Sequence, residues 1–197
     1  MSKSDPDSSS KERNKTIRWI AIIFPVTIVV SGTISFASDI LMESSAMAVA
    51  FLILLAIIFL GVLADTIGLA TTTAEEKPFH SMAARKVPGS LESIKLLRNA
   101  DRVSSICNDV IGDICGVVSG SASATIAAQI LMKLSEDWTL VIPLVLSALV
   151  AGLTVSGKAI GKYFALNSST QIVSAVGKII YFFKHIPLLL QKKKKDS

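Results

Sequence analysis

Cys107 to Leu131 reads CNDVIGDICGVVSGSASATIAAQIL, an apolar run whose first third carries Asp109 and Asp113 and whose middle is glycine and serine. At 100° per residue, Asp109 and Asp113 share one helical face, and Gly116 and Gly120 continue it. Gly112, Gly116, Gly120, Ala124 and Ala128 form a row at intervals of four. Such small-xxx-small spacing lets a second helix come close. Close approach also bares backbone carbonyls. Carboxylates, hydroxyls and carbonyls together are hard oxygen ligands, the kind magnesium and calcium prefer. A plainer account stands beside this one: Asp109 and Asp113 complement the helix dipole, Asn108 and Asp109 cap the helix, and the row only packs. A third acid, Asp65, lies in LADTIGLATTT at the end of another apolar run. An acid inside a membrane is costly and marks a functional site by default; at the interface it is simply hydrated.

These residues sit in a chain of 197 residues with net charge +5 and a hydrophobic fraction of 51%. Mean hydropathy is +0.58. The apolar excess falls in four long runs, as in a polytopic membrane protein. The basic residues lie between and after the runs, so a membrane surface accounts for them and nucleic acid is not an expected partner. Cys107 and Cys115 are eight apart, roughly 12 Å of helical rise, too far for a disulfide. No zinc spacing, P-loop, dinucleotide fingerprint or nucleophile elbow is present. We therefore do not expect an enzyme.

The fold expected is all-α, with four membrane spans, a helical cytoplasmic linker and a C-terminal amphipathic juxtamembrane helix. Residues 1–16 are expected to be a disordered cytoplasmic N-terminus. The transmembrane domain covers 17–163, with spans at about 17–36, 46–70, 109–132 and 138–157. Lys11, Arg13, Lys15 and Arg18 precede the first span and hold its N-terminus inside. Asp39 to Ser45 is a short acidic outer loop. The linker, residues 75–105, carries Lys77, Arg85, Lys86, Lys95, Arg98 and Arg102 and belongs inside. Ser90 is its expected N-cap, Leu91, Ile94, Leu97 and Val103 its apolar face, and His80 a surface residue. Trp138 anchors the outer turn, and Lys158 and Lys162 end the fourth span on the basic side. Residues 164–191 are expected to form the juxtamembrane helix, lying in the interface, with a fifth span as the alternative. The basic tail, 192–197, brings Lys192 to Lys195 to anionic lipid head groups. The location expected is the cell membrane, multi-pass, with both termini cytoplasmic.

In order of features the chain resembles the transmembrane domain of the cyclin M and CorC family, which is linked to magnesium and cobalt transport. LADTIGLATT stands where that family has an acid-threonine pair, matched by Asp65 and Thr66. MAARKVPGSLESIKLLRNADRVSSI resembles its basic helical linker, and CNDVIGD stands at its Gly-Asn-Asn opening. LTVSGKAIGKYFALNSST resembles the end of its last span, with Lys158 at the family lysine. The resemblance covers about Ala46 to Phe183. Thr154 and Gly157 replace a glutamate and a proline of the pattern, Ala64 replaces its serine, and the paired CBS domains of many members are not expected here. The first span is extra. The resemblance implies a divalent-cation site holding Mg2+, with Asp65, Thr66, Asn108, Asp109 and Asp113 as its residues. It also implies a homodimer, for which Gly112, Gly116, Gly120 and Ala124 offer a packing face. The alternative is a non-transporting membrane scaffold or accessory subunit that keeps the fold without the ion site.

Overall fold

The computed structural model describes the backbone of residues 6–43, 46–132 and 138–195, and side chains at 17–41, 46–132 and 138–185. Every regular element among them is helical: α1 Pro6–Glu43, α2 Met47–Thr73, α3 Lys77–Ala84, α4 Ser90–Arg98 and α5 Ala100–Ser105. A π-helical segment, Ile106–Gly112, follows, then α6 Asp113–Leu131, α7 Val141–Asn167 and α8 Ser169–Lys195. Four stretches are long and apolar enough to cross a membrane: Ile17–Leu41, Met47–Thr73, Ala100–Leu131 and Val141–Asn167.

Helix α2 is the hub, packed against α6, α7, the π-segment, α5 and α8, while α1 leans mainly on α6. Nearly every residue of α2 is apolar up to Gly61, so hydropathy does not choose its buried face. Size does. Ala50, Leu54, Ile58, Gly61, Ala64 and Gly68 are buried, at intervals of three and four. Gly61 admits α6: a Cβ there would stand 2.9 Å from Cys115 Cβ. On α7, Gly157 and Gly161 admit α2, with Val62 Cγ2 2.8 Å from a Cβ built on Gly157. Backbones that approach this closely gain dispersion contacts at little side-chain entropy cost.

Two apolar cores result. Ala50, Leu54, Ile58, Ala122, Ile126 and Val150 form one toward the start of α2. Ala70, Phe79, Ile94, Ala165 and Val173 form the other, joining α2, α7 and α8 to the linker helices. α8 is fastened to α4 at a backbone crossing. Gly89 has φ 85° and stands where a Cβ would meet Lys178 N at 2.6 Å. Ser93, fully buried, holds its Oγ 3.1 Å from both Gly89 O and Val173 O.

Several elements differ from the sequence expectation. α1 begins at Pro6, so backbone from 6 to 16, expected to be disordered, is helical; residues 1–5 lie outside the described residues. Extending an existing helix is far cheaper than nucleating one. α1 also continues past 36, with Pro25 inside it, and takes Asp39 out of the expected loop. α7 runs ten residues beyond 157 before the break at Ser168. Gly89 occupies the N-cap position of α4 in place of Ser90, whose hydroxyl turns back to Val87 O at 2.7 Å. Leu91 is 61% exposed and Ser93 takes the buried place. His80 is exposed. The head-group assignment of Lys192 to Lys195 lies outside the described side chains.

Candidate functional site

Between the two cores, α2, the π-segment, α6 and α7 enclose an open cavity of about 420 Å³. Its lining is Asp65, Leu69, Asn108, Asp109, Asp113, Lys158, Ala159 and Lys162. Asp65 and Leu69 are one turn apart on α2, and Lys158 and Lys162 one turn apart on α7, so each helix presents one face to it. Four of the five residues singled out from the sequence therefore meet here. Thr66 does not. Its neighbour Asp65 uses the cavity side of α2, and the next residue lies 100° round the helix. Thr66 Oγ1 donates to Val62 O at 2.7 Å and packs on Gly161. It lines a separate, mostly apolar cavity of about 860 Å³ between α2, α7 and α8.

The charges are partly balanced. Lys158 Nζ lies 2.7 Å from Asp65 Oδ2, with the two side chains 35% and 22% exposed. The other Asp65 oxygen, Oδ1, stands over Gly112, 2.5 Å from where a Cβ would be. No larger residue at 112 leaves the carboxylate in place. Asp109 and Asp113 add two exposed acids and Lys162 one exposed base. Three acids against two lysines leave the lining formally one negative charge in excess.

Asn108 supplies a neutral donor set. Its Nδ2 donates to Ser104 Oγ at 3.1 Å. Its Oδ1 is buried and, among the described residues, meets no hydrogen-bond partner. Gly68 makes room for that oxygen; any side chain there would collide with it. A buried, unsatisfied carbonyl oxygen is rare and costs about 1–3 kcal/mol. Both Asn108 and Asp109 sit in the π-segment. π-turns are rare and concentrate at functional sites, because the wider turn loosens the helical hydrogen-bond ladder and re-aims side chains. No group of three or more His, Cys, Asp or Glu side chains among the described residues is close enough together to hold a metal ion. A cation here would use Asp65, Asn108 Oδ1 or Asp113 together with water.

The packing row turns out to be divided. Gly112 is buried under Asp65, whereas Gly116 and Gly120 have nothing within 4 Å of a built Cβ, and Ala124 is exposed. Within the chain, close approach instead uses Gly61, Gly68, Gly157 and Gly161. Lys158 and Lys162, expected to end the fourth span, line the cavity instead, and their i, i+4 spacing beside glycines is the signal that points there. Asp39, expected in a loop, lies on α1 with its carboxylate against α6.

Outside the apolar helices, Glu76 accepts hydrogen bonds from Arg98 Nε at 2.9 Å and from His80 Nε2 at 3.1 Å. The Arg98 hydrogen bond is the main reason its carboxyl is held below the usual range.

The chain matches no protein-family profile, no curated protein and no solved structure.

Proposed function

We propose that this is a multi-pass membrane protein that binds a small hard cation, magnesium first, in the cavity between α2, the π-segment, α6 and α7, as a step in moving that ion. One observation carries the proposal: Asp65 of α2 and Asn108, Asp109 and Asp113 of the continuous π-segment and α6 line one cavity between apolar cores, with a buried Asn108 oxygen left without a partner among the described residues. Hard oxygen donors and excess negative charge favour such an ion. Lys158 then acts as a stand-in cation. Its ammonium neutralises Asp65 when the cavity is empty and yields it when an ion arrives. Binding thereby exchanges one positive charge for another and avoids a bare intramembrane carboxylate. The distribution of Lys and Arg supports a cell-membrane protein with both termini cytoplasmic, and the basic C-terminal end suits anionic head groups. The open Gly116, Gly120 and Ala124 face supports a homodimer.

The second reading is a scaffold or accessory subunit. It is favoured by the Asp65–Lys158 pair, which is complete without an ion.

The test is thermal stability of the detergent-purified protein during magnesium titration. A ligand bound only to the folded state at a hundredfold excess over its Kd adds about 2.7 kcal/mol. We expect a saturable rise that Asp113→Asn abolishes while leaving the metal-free stability within about 0.5 kcal/mol, as for an exposed surface change. No rise with magnesium in the well-folded wild type would move the assignment to the scaffold.

A further inference from the structure

The seam between α2 and α7 has two sides. On one, Asp65 and Lys158 face the charged cavity. On the other, the apolar cavity of about 860 Å³ beside Thr66 is an open groove. Its walls are Leu55 and Phe59 of α2 and Leu153, Ile160 and Phe164 of α7, each more than half exposed. Val62, lying on Gly157, makes its floor. Water is a poor occupant, because it needs several polar partners and the Thr66 hydroxyl already donates to Val62 O. An empty groove would forfeit the dispersion contacts of all its lining atoms. Both wall helices are long and apolar enough to cross a membrane. On the membrane reading of this chain, on which the inference rests, the medium at the mouth of the groove is hydrocarbon.

We infer that the groove holds one acyl chain of a bilayer glycerophospholipid, with the ester and head group at the α7–α8 break. Three features choose that occupant. The first is length. Leu55 to Thr66 on α2 and Leu153 to Phe164 on α7 are each eleven residues apart, a rise of about 16 Å. That is about half of a 30 Å hydrocarbon core, the reach of a chain in one leaflet. The second is polarity at one end only. The groove closes on Ser168 and Gln171, where α7 gives way to α8. This end adjoins the linker helices, which are joined to α7 and α8 through Phe79, Ile94, Ala165 and Val173. The linker carries the Lys and Arg that suit a head-group layer. The third is continuity. Ile172, at the rim of the groove, shares a face of α8 with Ile179 and Phe183, both more than half exposed. That strip extends the apolar surface onto neighbouring chains of the same leaflet.

The test is native mass spectrometry of the full chain, purified from membranes in mild detergent. We expect one glycerophospholipid retained per chain. Phe59→Ala/Phe164→Ala takes part of the wall from each helix and should lower retention about tenfold or more. Leu52→Ala/Leu60→Ala, exposed on α2 outside the groove, should leave retention unchanged, and so should the cavity variant Asp113→Asn. The inference is overturned if the wild type retains no phospholipid or retains a free fatty acid instead. It is also overturned if the groove variant keeps as much lipid as the wild type, or if Leu52→Ala/Leu60→Ala loses as much as the groove variant. Lipid kept but self-association lost in the groove variant would overturn it and give the groove to a second copy. If Phe59→Ala/Phe164→Ala fails to fold, Ile160→Trp, which narrows the mouth, decides: it must lose the lipid. Alkaline carbonate washing separates this inference from the membrane reading. A chain released from membranes overturns both; a chain that stays embedded and carries no phospholipid overturns the groove alone.

Discussion

Lys158 on α7 closes the charge of Asp65 on α2 across 2.7 Å, between two apolar cores. Removing one partner leaves the other unpaired in a poorly hydrated place. Fully buried pairs lose about 3–5 kcal/mol in this way. This pair is a fifth to a third open, so we expect Lys158→Met to cost about 1–3 kcal/mol. The double variant Asp65→Leu/Lys158→Met should recover most of that loss. Thermal unfolding of the four proteins of this cycle gives the coupling directly. If Lys158 also competes with a bound ion, Lys158→Gln should show a larger magnesium-induced stabilisation than wild type.

The open and closed glycines make opposite predictions. Gly161 is buried against Val62 and Thr66, and Gly61 against Cys115, while Gly116 and Gly120 face open space. Gly161→Leu and Gly61→Leu should each destabilise the monomer by at least about 1–3 kcal/mol, the usual cost of overpacking. Gly116→Leu and Gly120→Leu should leave it intact and alter only self-association. Sedimentation in detergent together with unfolding separates the two effects.

At the α4–α8 crossing, Gly177→Ala places a methyl against Ser93 Oγ and 2.6 Å from Gly89 O. A hydroxyl can rotate away; the carbonyl of a left-handed turn residue cannot. We expect a loss of about 1–3 kcal/mol and faster hydrogen exchange confined to α4 and the first half of α8. Ser93→Ala should cost less, about 0.5–1.5 kcal/mol, the net worth of a hydrogen bond.

The Glu76 network gives a pH dependence of known sign. Its carboxyl titrates lower in the folded chain than in the unfolded one, chiefly through the Arg98 hydrogen bond. The unfolded state therefore takes up a proton first as pH falls. The stabilisation is complete above the ordinary glutamate pKa of about 4.3 and fades as pH drops through the lower folded value. Glu76→Gln should remove this component. Between pH 7 and pH 3 its stability curve should be flatter than wild type, as followed by local proteolysis of the α3–α4 region.

Much of the cavity was legible because acids and amides stand out in apolar runs. Asp65, Asn108, Asp109 and Asp113 needed only their chemical type to be noticed. Thr66 failed because adjacency in sequence is separation around a helix. Lys158 was hidden by convention: a lysine beside an apolar run reads as its end, and only the contact with Asp65 shows it turned inward. The glycine row of α6 was the longest ladder in the sequence, yet only Gly112 packs inside the chain. Intervals of four identify a smooth face and say nothing about which helix will meet it. The π-segment leaves no trace in the residue pattern, since widening one turn changes hydrogen bonding and not composition. Four long apolar helices and their order could be read from hydropathy, but their ends could not, because polar residues continue α1 and α7 once the apolar part is formed.

Ser93 and Val173, joined through a hydroxyl and a carbonyl, are 80 residues apart in the chain. A ribosome adding about 5–20 residues per second needs about 4–16 s to travel from one to the other. For that interval α4 exists without its partner, with Gly89 and Ser93 uncovered, while α6 and α7 are still being delivered. The nascent protein thus passes through a stage in which its linker is made but unfastened. That stage is when a chaperone or protease has its longest access to this part of the chain.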